Sequence, residues 1–385
     1  MNKTLDYYNR NADAFVEGSV AADMSRHYSE FLKFLPAGAA ILDLGCGSGR
    51  DTRYFSSLGY TMTAVDGSRE LCRKASEYTG IDVRCLTFDA LDYEEQFDGI
   101  WACASLLHVP KAEMAAVLDR VSCALRPGGI LYASYKYGTA EREKDGRFFS
   151  DYTEKDLPAL FGAHNGFRVL TSWSNEDVRP DRNEKWLNVI AKKIDAQWFF
   201  GEFVQAVSWE KYQDEYRNNE KKYTKSVTDV INRIIQSAGF HSQNEYFRID
   251  CIGWSTQYKD VQEPVTKAKL RPHLWTLEIA VEHENQKNDW TDELSKLMQI
   301  RCPLKVIIGY NYCNERENGE NGKLDAASLI VRNSQTYGSV ARDKEEILLI
   351  LGNGINTQTH QSDYTAFDYR GYLFDYANGA WKRIG

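Results

Sequence analysis

This sequence has no long apolar run, no paired cysteines and no excess of positive charge. No run is long enough to span a bilayer, and residues 1–8 lack the apolar core of a secretory signal. The eight cysteines form no Cys-x-x-Cys pair or metal-site spacing, which is typical of reduced thiols in a cytosol. A net charge of -8 argues against nucleic-acid binding by bulk electrostatics. We therefore expect a cytoplasmic protein with no membrane association.

The chain has enough residues for two hydrophobic cores. It contains 385 residues, of which 43% are hydrophobic, and it shows no internal repeat or low-complexity tract. Apolar strand patterns alternate with helical patterns from about residue 37 to residue 190, which predicts a parallel sheet with helices on both faces. We expect one domain over residues 1–193 and a second over residues 194–385. The sequence does not indicate an oligomeric state.

A glycine-rich segment is the most informative local pattern. Residues 43–49, Asp-Leu-Gly-Cys-Gly-Ser-Gly, follow the apolar run 39–42 and precede a segment that can form a helix. Such a turn brings backbone N–H groups and a helix N-terminus towards a ligand, as at nucleotide-type cofactor sites. The dinucleotide fingerprint needs a third glycine where Arg50 stands, which weakens a nicotinamide or flavin interpretation.

The segment resembles motif I of the class I S-adenosylmethionine-dependent methyltransferases. The resemblance implies a Rossmann-like, doubly wound α/β domain with S-adenosylmethionine as its cofactor. It also implies that the motif's acid and glycines lie at the cofactor, which here are Asp43, Gly45, Gly47 and Gly49.

Two further acids follow predicted strands in the order that this family shows. Asp66 ends the run 61–66, where an open α/β sheet places the carboxylate that binds a ribose diol. Asp89 ends the run 83–90, which resembles the family's third strand, whose terminal acid accepts from the adenine amino group. The run 97–104 resembles the fourth strand. We therefore expect Asp66 and Asp89 to bind the cofactor.

The acceptor side is less clearly marked. His108 follows the fourth predicted strand at the carboxyl edge of the sheet, where it is either a base or a histidine that packs beside the cofactor. Tyr7, Tyr8 and the segment around Arg147 resemble cap elements of the small-molecule members, including tellurite-resistance-like and ubiquinone-biosynthesis-like groups. Arg147 either holds an acidic group of the acceptor or is solvated. We expect a small-molecule methyl acceptor.

The C-terminal half shows a helix, two strands, a helix and a strand, with strand-like runs at 246–254, 274–285 and 304–308. This order, with Asp250 on one strand and Glu282 and Glu284 on the next, resembles the core of the PD-(D/E)xK nuclease superfamily. The resemblance implies an α+β restriction-endonuclease-like domain in which the three acids hold Mg²⁺ and nucleic acid is a partner.

One departure from this superfamily is that Glu284 stands where lysine is usual. Two alternatives to a simple two-activity enzyme therefore stay open. In one, the protein processes or defends against nucleic acid and its C-terminal half cuts. In the other, the C-terminal half is a noncatalytic binding module.

Overall fold

Two sheets, one in each half of the chain, organise this protein. The computed structural model describes residues 3–161, 166–179, 182–255, 264–269, 276–285, 290–311, 317–342, 345–353 and 368–384. The chain divides into two units, Met1–Ile194 and Asp195–Gly385.

The first unit is built around a seven-stranded sheet in the order β3-β2-β1-β4-β5-β9-β8. Strands β1 to β5 are parallel, and β8 and β9 are antiparallel neighbours that close one edge. The remaining two strands, β6 and β7, form a separate hairpin. The elements are α1 Lys3–Arg10, α2 Ala12–Glu17, α3 Ser25–Leu32, β1 Ala40–Leu44, α4 Arg50–Ser57, β2 Thr61–Asp66, α5 Arg69–Thr79, β3 Arg84–Cys85, β4 Phe97–Ala102, α6 Lys111–Ala124, β5 Leu125–Lys136, β6 Glu141–Lys144, β7 Arg147–Ser150, α7 Leu157–Leu160, β8 Phe167–Glu176 and β9 Lys185–Lys193.

Both faces of this sheet are covered, as alternating side chains of its strands require. One face packs on the apolar stripe of α6, in which Met114, Val117, Leu118 and Val121 are buried. The opposite face packs on an aromatic cluster from α3, α4 and the sheet, with Trp101 stacked on Tyr132 at 3.9 Å between ring centroids. The prediction of a doubly wound α/β domain is confirmed for this unit.

The third strand is shorter than the sequence predicts. Only Arg84 and Cys85 pair with β2, and Asp89 lies in a single 3₁₀ turn, Phe88–Ala90. Asp89 therefore reaches the edge of the sheet from a turn rather than from a strand end.

The second unit has its own seven-stranded sheet, in the order β10-β11-β12-β13-β14-β15-β16. Strands β12, β13 and β14 are parallel, and the other neighbouring pairs are antiparallel. The named elements are α8 Ala196–Ala206, α9 Trp209–Asn218, α10 Glu220–Ser237, β10 His241–Tyr246, β11 Ile249–Ser255, β12 Thr276–His283, α11 Trp290–Leu297, β13 Leu304–Asn311, α12 Glu317–Asn333, α13 Tyr337–Arg342, β14 Glu346–Asn353, β15 Asp368–Asp375 and β16 Ala380–Ile384.

The centre of this sheet follows the order α10, β10, β11, β12, α11, β13, with one more strand than the sequence predicts. The predicted strand 246–254 begins instead with a reversal of the chain. Phe247 and Arg248 adopt φ values of 48° and 63°, which turn β10 back into β11. Residues other than glycine rarely adopt positive φ values, so the sequence does not predict this turn.

The flanking helices bury the residues that helical spacing predicts. On α10, Val227, Val230, Ile231, Ile234 and Ile235 are all buried. On α11, Trp290, Leu294 and Leu297 pack into the core on the other face of the sheet. Among the described residues, no helix combines the length and apolar character needed to cross a membrane.

Candidate cofactor and acceptor site

The glycine-rich turn after β1 is bonded to the end of β2. The N–H groups of Gly45 and Cys46 both donate to the Val65 carbonyl oxygen, at 2.9 and 3.0 Å. The Gly47 N–H donates to the Asp66 Oδ2 atom at 2.9 Å. These bonds hold the turn against the carboxyl ends of two adjacent parallel strands.

Two glycines of the turn stand where no larger residue fits. Gly45 and Gly47 have φ values of +81° and +57°, which side chains rarely adopt. A Cβ atom at Gly45 would lie 2.5 Å from the Ser105 Cβ atom, and one at Gly47 would lie 2.9 Å from the Phe15 ring. Both positions therefore require glycine, because Ser105 and Phe15 pack directly against the backbone of the turn.

A cavity of about 830 Å³ opens beside this turn. Its lining brings together four of the residues predicted to bind cofactor, namely Gly45, Gly47, Asp66 and Asp89. The Ser105 hydroxyl lines the same cavity, is buried, and has no hydrogen-bond partner among the described residues. A buried hydroxyl without a protein partner is suited to hydrogen-bond with a polar ligand.

The Asp66 carboxylate retains hydrogen-bonding capacity towards the cavity. Its Oδ1 atom accepts from the Ser68 N–H at 2.8 Å, and its Oδ2 atom accepts from Gly47. Burial raises the pKa of Asp66, and the backbone N–H donors oppose that rise. Each carboxylate oxygen has a second lone pair, so the group can still accept from two hydroxyls.

Two predicted cofactor ligands lie behind the turn rather than on the cavity wall. Asp43 is fully buried, and its Oδ2 atom accepts from the Thr52 hydroxyl at 2.6 Å. Burial, reinforced by the nearby Asp51 charge, raises the pKa of Asp43 to about 8. Gly49 precedes α4, and a Cβ atom there would lie 2.7 Å from the Thr79 side chain. Both residues therefore shape the turn from beneath.

A buried charge pair that the sequence did not indicate forms another part of the wall. Asp51 accepts from the Arg50 Nε atom at 2.6 Å, from the Trp101 Nε1 atom at 2.8 Å and from the Tyr28 hydroxyl. Arg50 also donates to the Ser19 carbonyl oxygen at 3.1 Å. The pair attaches the N-terminal helices to the sheet beneath the cavity.

Tyr8 and His108, both predicted at the acceptor side, are hydrogen-bonded to each other. The His108 Nδ1 atom lies 2.6 Å from the Phe148 carbonyl oxygen, which can only accept, so Nδ1 carries the proton. The neutral ring then accepts the Tyr8 hydroxyl at Nε2, over 2.9 Å. Burial, with Arg147 as a neighbouring cation, lowers the pKa of His108 to about 4.

Arg147 lines the cavity, but Tyr7 does not. The Arg147 guanidinium lies 4.5 Å above the Tyr7 ring and 5.3 Å from the Phe149 ring. Its Nε atom is buried with no hydrogen-bond partner among the described residues. Tyr7 thus contacts Arg147 without lining the cavity, whereas Tyr8 lines it.

The far wall of the cavity is polar and comes from the central strands. Tyr132, Ser134 and Lys136 alternate along β5 and line it together. The Tyr132 hydroxyl donates to the Asn188 Oδ1 atom at 2.7 Å. Lys136 pairs with Glu184, and burial lowers the pKa of Lys136 to about 8. A polar face on an otherwise apolar strand is the signal that could have identified these residues.

In the second unit, the structure brings together two of the three predicted acids. The Asp250 Oδ2 atom accepts from the His283 N–H at 2.8 Å, and the neighbouring Glu282 is only 1% exposed. β12 ends at His283, so the strand alternation that would place Glu284 beside Glu282 stops there. Among the described residues, no group of three His, Cys, Asp or Glu side chains is arranged to hold a metal ion.

A lysine completes this acidic group instead. Lys296 on α11 extends its Nζ atom to within 2.7 Å of the Glu282 Oε1 atom, and it also contacts Glu293. Burial and the neighbouring Asp250 charge raise the pKa of Glu282 to about 8, although Lys296 opposes the rise. Sequence analysis missed Lys296, because only the path of the chain through α11 brings it to the strands.

Comparisons with known proteins agree with the geometry of the first unit. A family model described as a methyltransferase domain matches residues 41–129. A ubiquinone biosynthesis O-methyltransferase of Xylella fastidiosa is 30% identical over 168 residues, which cover 40% of this chain and 68% of that protein. The chain belongs to the class I S-adenosylmethionine-dependent methyltransferases. This confirms the resemblance and the cofactor that it implied.

Another relative and a solved structure are also similar to this methyltransferase. A ubiquinone biosynthesis O-methyltransferase of Nitrobacter winogradskyi is 37% identical over 140 residues. These residues cover 35% of this chain and 52% of that relative, so the chain spans about half of its length. A solved structure of a Burkholderia thailandensis 1,6-didemethyltoxoflavin-N1-methyltransferase, with its acceptor and S-adenosylhomocysteine bound, is 27% identical. It covers 50% of this chain and 85% of its own, with a TM-score of 0.42.

Replacing Asp66 by asparagine tests the cofactor assignment. We expect Asp66→Asn to weaken S-adenosylhomocysteine binding by about 10- to 100-fold, the range for hydrogen bonds to a charged group. Isothermal titration calorimetry measures the change, and circular dichroism checks the fold. Asp82→Asn, which alters an exposed acid outside the cavity, is the control. Unchanged affinity in Asp66→Asn would refute the assignment.

His108 should make stability depend on pH. Its folded-state pKa of about 4 lies below the ordinary value of 6.5, so the unfolded chain binds the proton first as the pH falls. The free energy of unfolding therefore decreases as the pH falls from about 6.5 to 4. At pH 5 the contribution of His108 is lower than at pH 7 by about 2 kcal/mol. Urea unfolding at pH 7 and pH 5 should show a smaller loss for His108→Gln than for the wild type.

The control for this effect is His241→Gln, since His241 is an exposed histidine of the second unit. It should keep the wild-type difference between the two pH values. An equal loss of stability in His108→Gln and in the wild type would show that His108 is not buried as a neutral ring.

Proposed function

We propose that this protein transfers the methyl group of S-adenosylmethionine to a small acceptor that carries an acidic oxygen. The single observation that carries this proposal is the half-buried Arg147 cation, whose Nε atom has no hydrogen-bond partner among the described residues and which lines the same cavity as the glycine-rich turn. The relatives named as ubiquinone biosynthesis O-methyltransferases support oxygen as the acceptor atom.

The surroundings of Arg147 favour an anionic ligand. Its nearest acid, Asp145, lies 3.9 Å away on a side chain that is 64% exposed, so this pair is weak. The guanidinium also lies over the Tyr7 and Phe149 rings, and it interacts with the Tyr8 hydroxyl, where it opposes the rise that burial causes in the pKa of Tyr8. A guanidinium held in this way offers two parallel N–H donors to a carboxylate or a phenolate.

The neighbouring base is weak, which restricts the acceptor further. His108 accepts from Tyr8 and has a pKa of about 4, so a proton from the acceptor would reach it only through the Tyr8 hydroxyl. An acceptor with an acidic O–H group needs little help, because Arg147 favours its ionised form. S-adenosylmethionine supplies an activated methyl group. The chain mainly holds the acceptor in line with that group and excludes water.

Labelled methyl transfer tests the proposed function. The full-length protein is incubated with S-adenosylmethionine carrying a labelled methyl group and with separate metabolite, protein and nucleic-acid fractions. We expect label in the small-molecule fraction, in a product whose methyl group is on oxygen. Label confined to protein or nucleic acid would refute a small acceptor.

Arg147 should control acceptor affinity in the same assay. We expect Arg147→Met to raise KM for the acceptor by about 10- to 100-fold, because a charge-assisted contact is lost, and to change kcat much less. Arg147→Lys keeps the charge and should recover part of the loss. The control is Arg73→Met, which alters an exposed arginine on α5. An unchanged KM in Arg147→Met would contradict an acidic acceptor.

We propose metal-dependent phosphodiester cleavage as a second candidate function, located in the C-terminal unit. It is favoured by the order α10, β10, β11, β12, α11, β13 together with Asp250, Glu282 and Lys296 at one place. Mg²⁺ is often held by one or two carboxylates, with water and phosphate oxygens completing its shell. The two acids suit this arrangement, and Lys296 adds a positive charge for phosphate.

Cleavage assays with Mg²⁺ or Mn²⁺ on DNA and RNA test this second function. We expect activity that Asp250→Asn and Lys296→Met each abolish and that Asp325→Asn, an exposed acid on α12, leaves unchanged. Since Glu282 has a pKa of about 8, it ionises only as the pH rises, so activity should increase from pH 6.5 to pH 9. Absence of cleavage with either metal would favour a noncatalytic binding module.

A further inference from the structure

Two cysteines, Cys72 and Cys85, contact the backbone of the loop that contains Asp66. The Cys72 Sγ atom, on α5, lies 3.3 Å from the Asp66 carbonyl oxygen. The Cys85 Sγ atom, on β3, lies 3.8 Å from the carbonyl oxygen of the next residue, Gly67. The Cys72 Sγ atom also lies 3.9 Å from the carbonyl oxygen of Arg84, the residue before Cys85, so both thiols contact the same short stretches of backbone.

The register of the sheet explains why the two cysteines lie at the same loop. Cys85 is the pairing partner of Asp66 across β2 and β3, at the edge of the sheet. Cys72 packs beneath the same strands in a small apolar cluster with Ala64, Ala75 and Val83. Helix α5 and strand β3 both adjoin β2 and contact each other, which brings the two sulfur atoms to the same loop.

We propose that Cys72 and Cys85 are a modification site, at which oxidation forms a disulfide that weakens cofactor binding. The effect on affinity rests on the proposed role of Asp66, but formation of the disulfide does not.

The two thiols differ in access, which sets the order of the chemistry. Cys85 is exposed, whereas Cys72 is only 5% exposed. Burial and the Asp66 charge raise the pKa of Cys72 to about 12, so it stays a thiol at neutral pH. A peroxide therefore oxidises Cys85 before Cys72.

The reaction is balanced with a hydroperoxide as the oxidant. The Cys85 thiol takes one oxygen atom from the hydroperoxide, which is reduced to an alcohol or to water, and becomes a sulfenic acid. The Cys72 sulfur then attacks the Cys85 sulfur. An S–S bond forms, the S–O bond breaks, and the hydroxyl leaves with the Cys72 proton as water.

Closing the bond should disturb the cofactor loop. A disulfide needs its sulfur atoms about 2.05 Å apart, so both must move from their contacts with the loop carbonyls. The loop has little freedom to compensate, because a Cβ atom at Gly67 would lie 2.8 Å from Leu5 of α1. The Asp66 carboxylate should shift, at a cost of about tenfold in cofactor affinity, the equivalent of roughly one lost hydrogen bond.

The experiment uses the full-length protein before and after treatment with hydrogen peroxide. Peptide mass spectrometry without reduction should find Cys72 joined to Cys85, and calorimetry should show S-adenosylhomocysteine binding about tenfold weaker. Dithiothreitol should restore it. Cys85→Ser and Cys72→Ala should bind the ligand equally before and after oxidation. Cys123→Ser removes another exposed thiol and should respond like the wild type.

The results separate the two proposals. Absence of a bridge between Cys72 and Cys85, in protein whose Cys85 reacts with iodoacetamide, would overturn the modification site. A bridge with unchanged affinity would overturn its effect on the cofactor. Failure of the reduced wild type to bind S-adenosylhomocysteine would instead refute the proposed function, and the mass spectrum would still decide whether the bridge forms.

Discussion

The methyltransferase site depends on the hydrogen bonds between the glycine-rich turn and the end of β2. Gly45 and Cys46 donate to Val65, and Asp66 accepts from Gly47. These bonds use the backbone groups that would otherwise be orphaned where a strand ends, so the turn and the acidic loop form one rigid edge. The cavity lies at that edge because the carboxyl ends of parallel strands meet there.

Charge compensation around the cavity is uneven, and the proposed acceptor preference rests on this unevenness. Arg50 is matched by Asp51, Lys136 by Glu184 and Arg179 by Asp177. Arg147 rests on aromatic rings, which attract a cation without cancelling its charge. Field lines in a low-dielectric cavity therefore favour an anion at that one place. In the proposed function, Arg147 is the cation that binds the acidic oxygen of the acceptor.

Sequence patterns predicted the elements that depend on local information. The glycine turn, the apolar runs and the stripe on α6 gave the parallel sheet of the first unit, because strand and helix periods are local properties. They did not distinguish Tyr7 from Tyr8, since adjacent helical residues point only about 100° apart and tertiary packing decides which one faces the cavity. Nor did they indicate that Asp43 would accept from Thr52, because an acid at a strand end can bond either to a ligand or to a neighbouring side chain.

The second unit shows why long-range placement escapes sequence analysis. The nuclease-like motif predicts a lysine at position 284 of the same strand, where Glu284 stands. In the structure, Lys296 of α11 contacts Glu282 instead. An ammonium there lowers the cost of burying Asp250 and Glu282 together, which would otherwise repel each other. The same ammonium competes with any divalent cation for Glu282. In the second proposed function, a metal ion would thus need a further source of negative charge, which a phosphodiester provides, so metal and nucleic acid should bind together more tightly than either does alone.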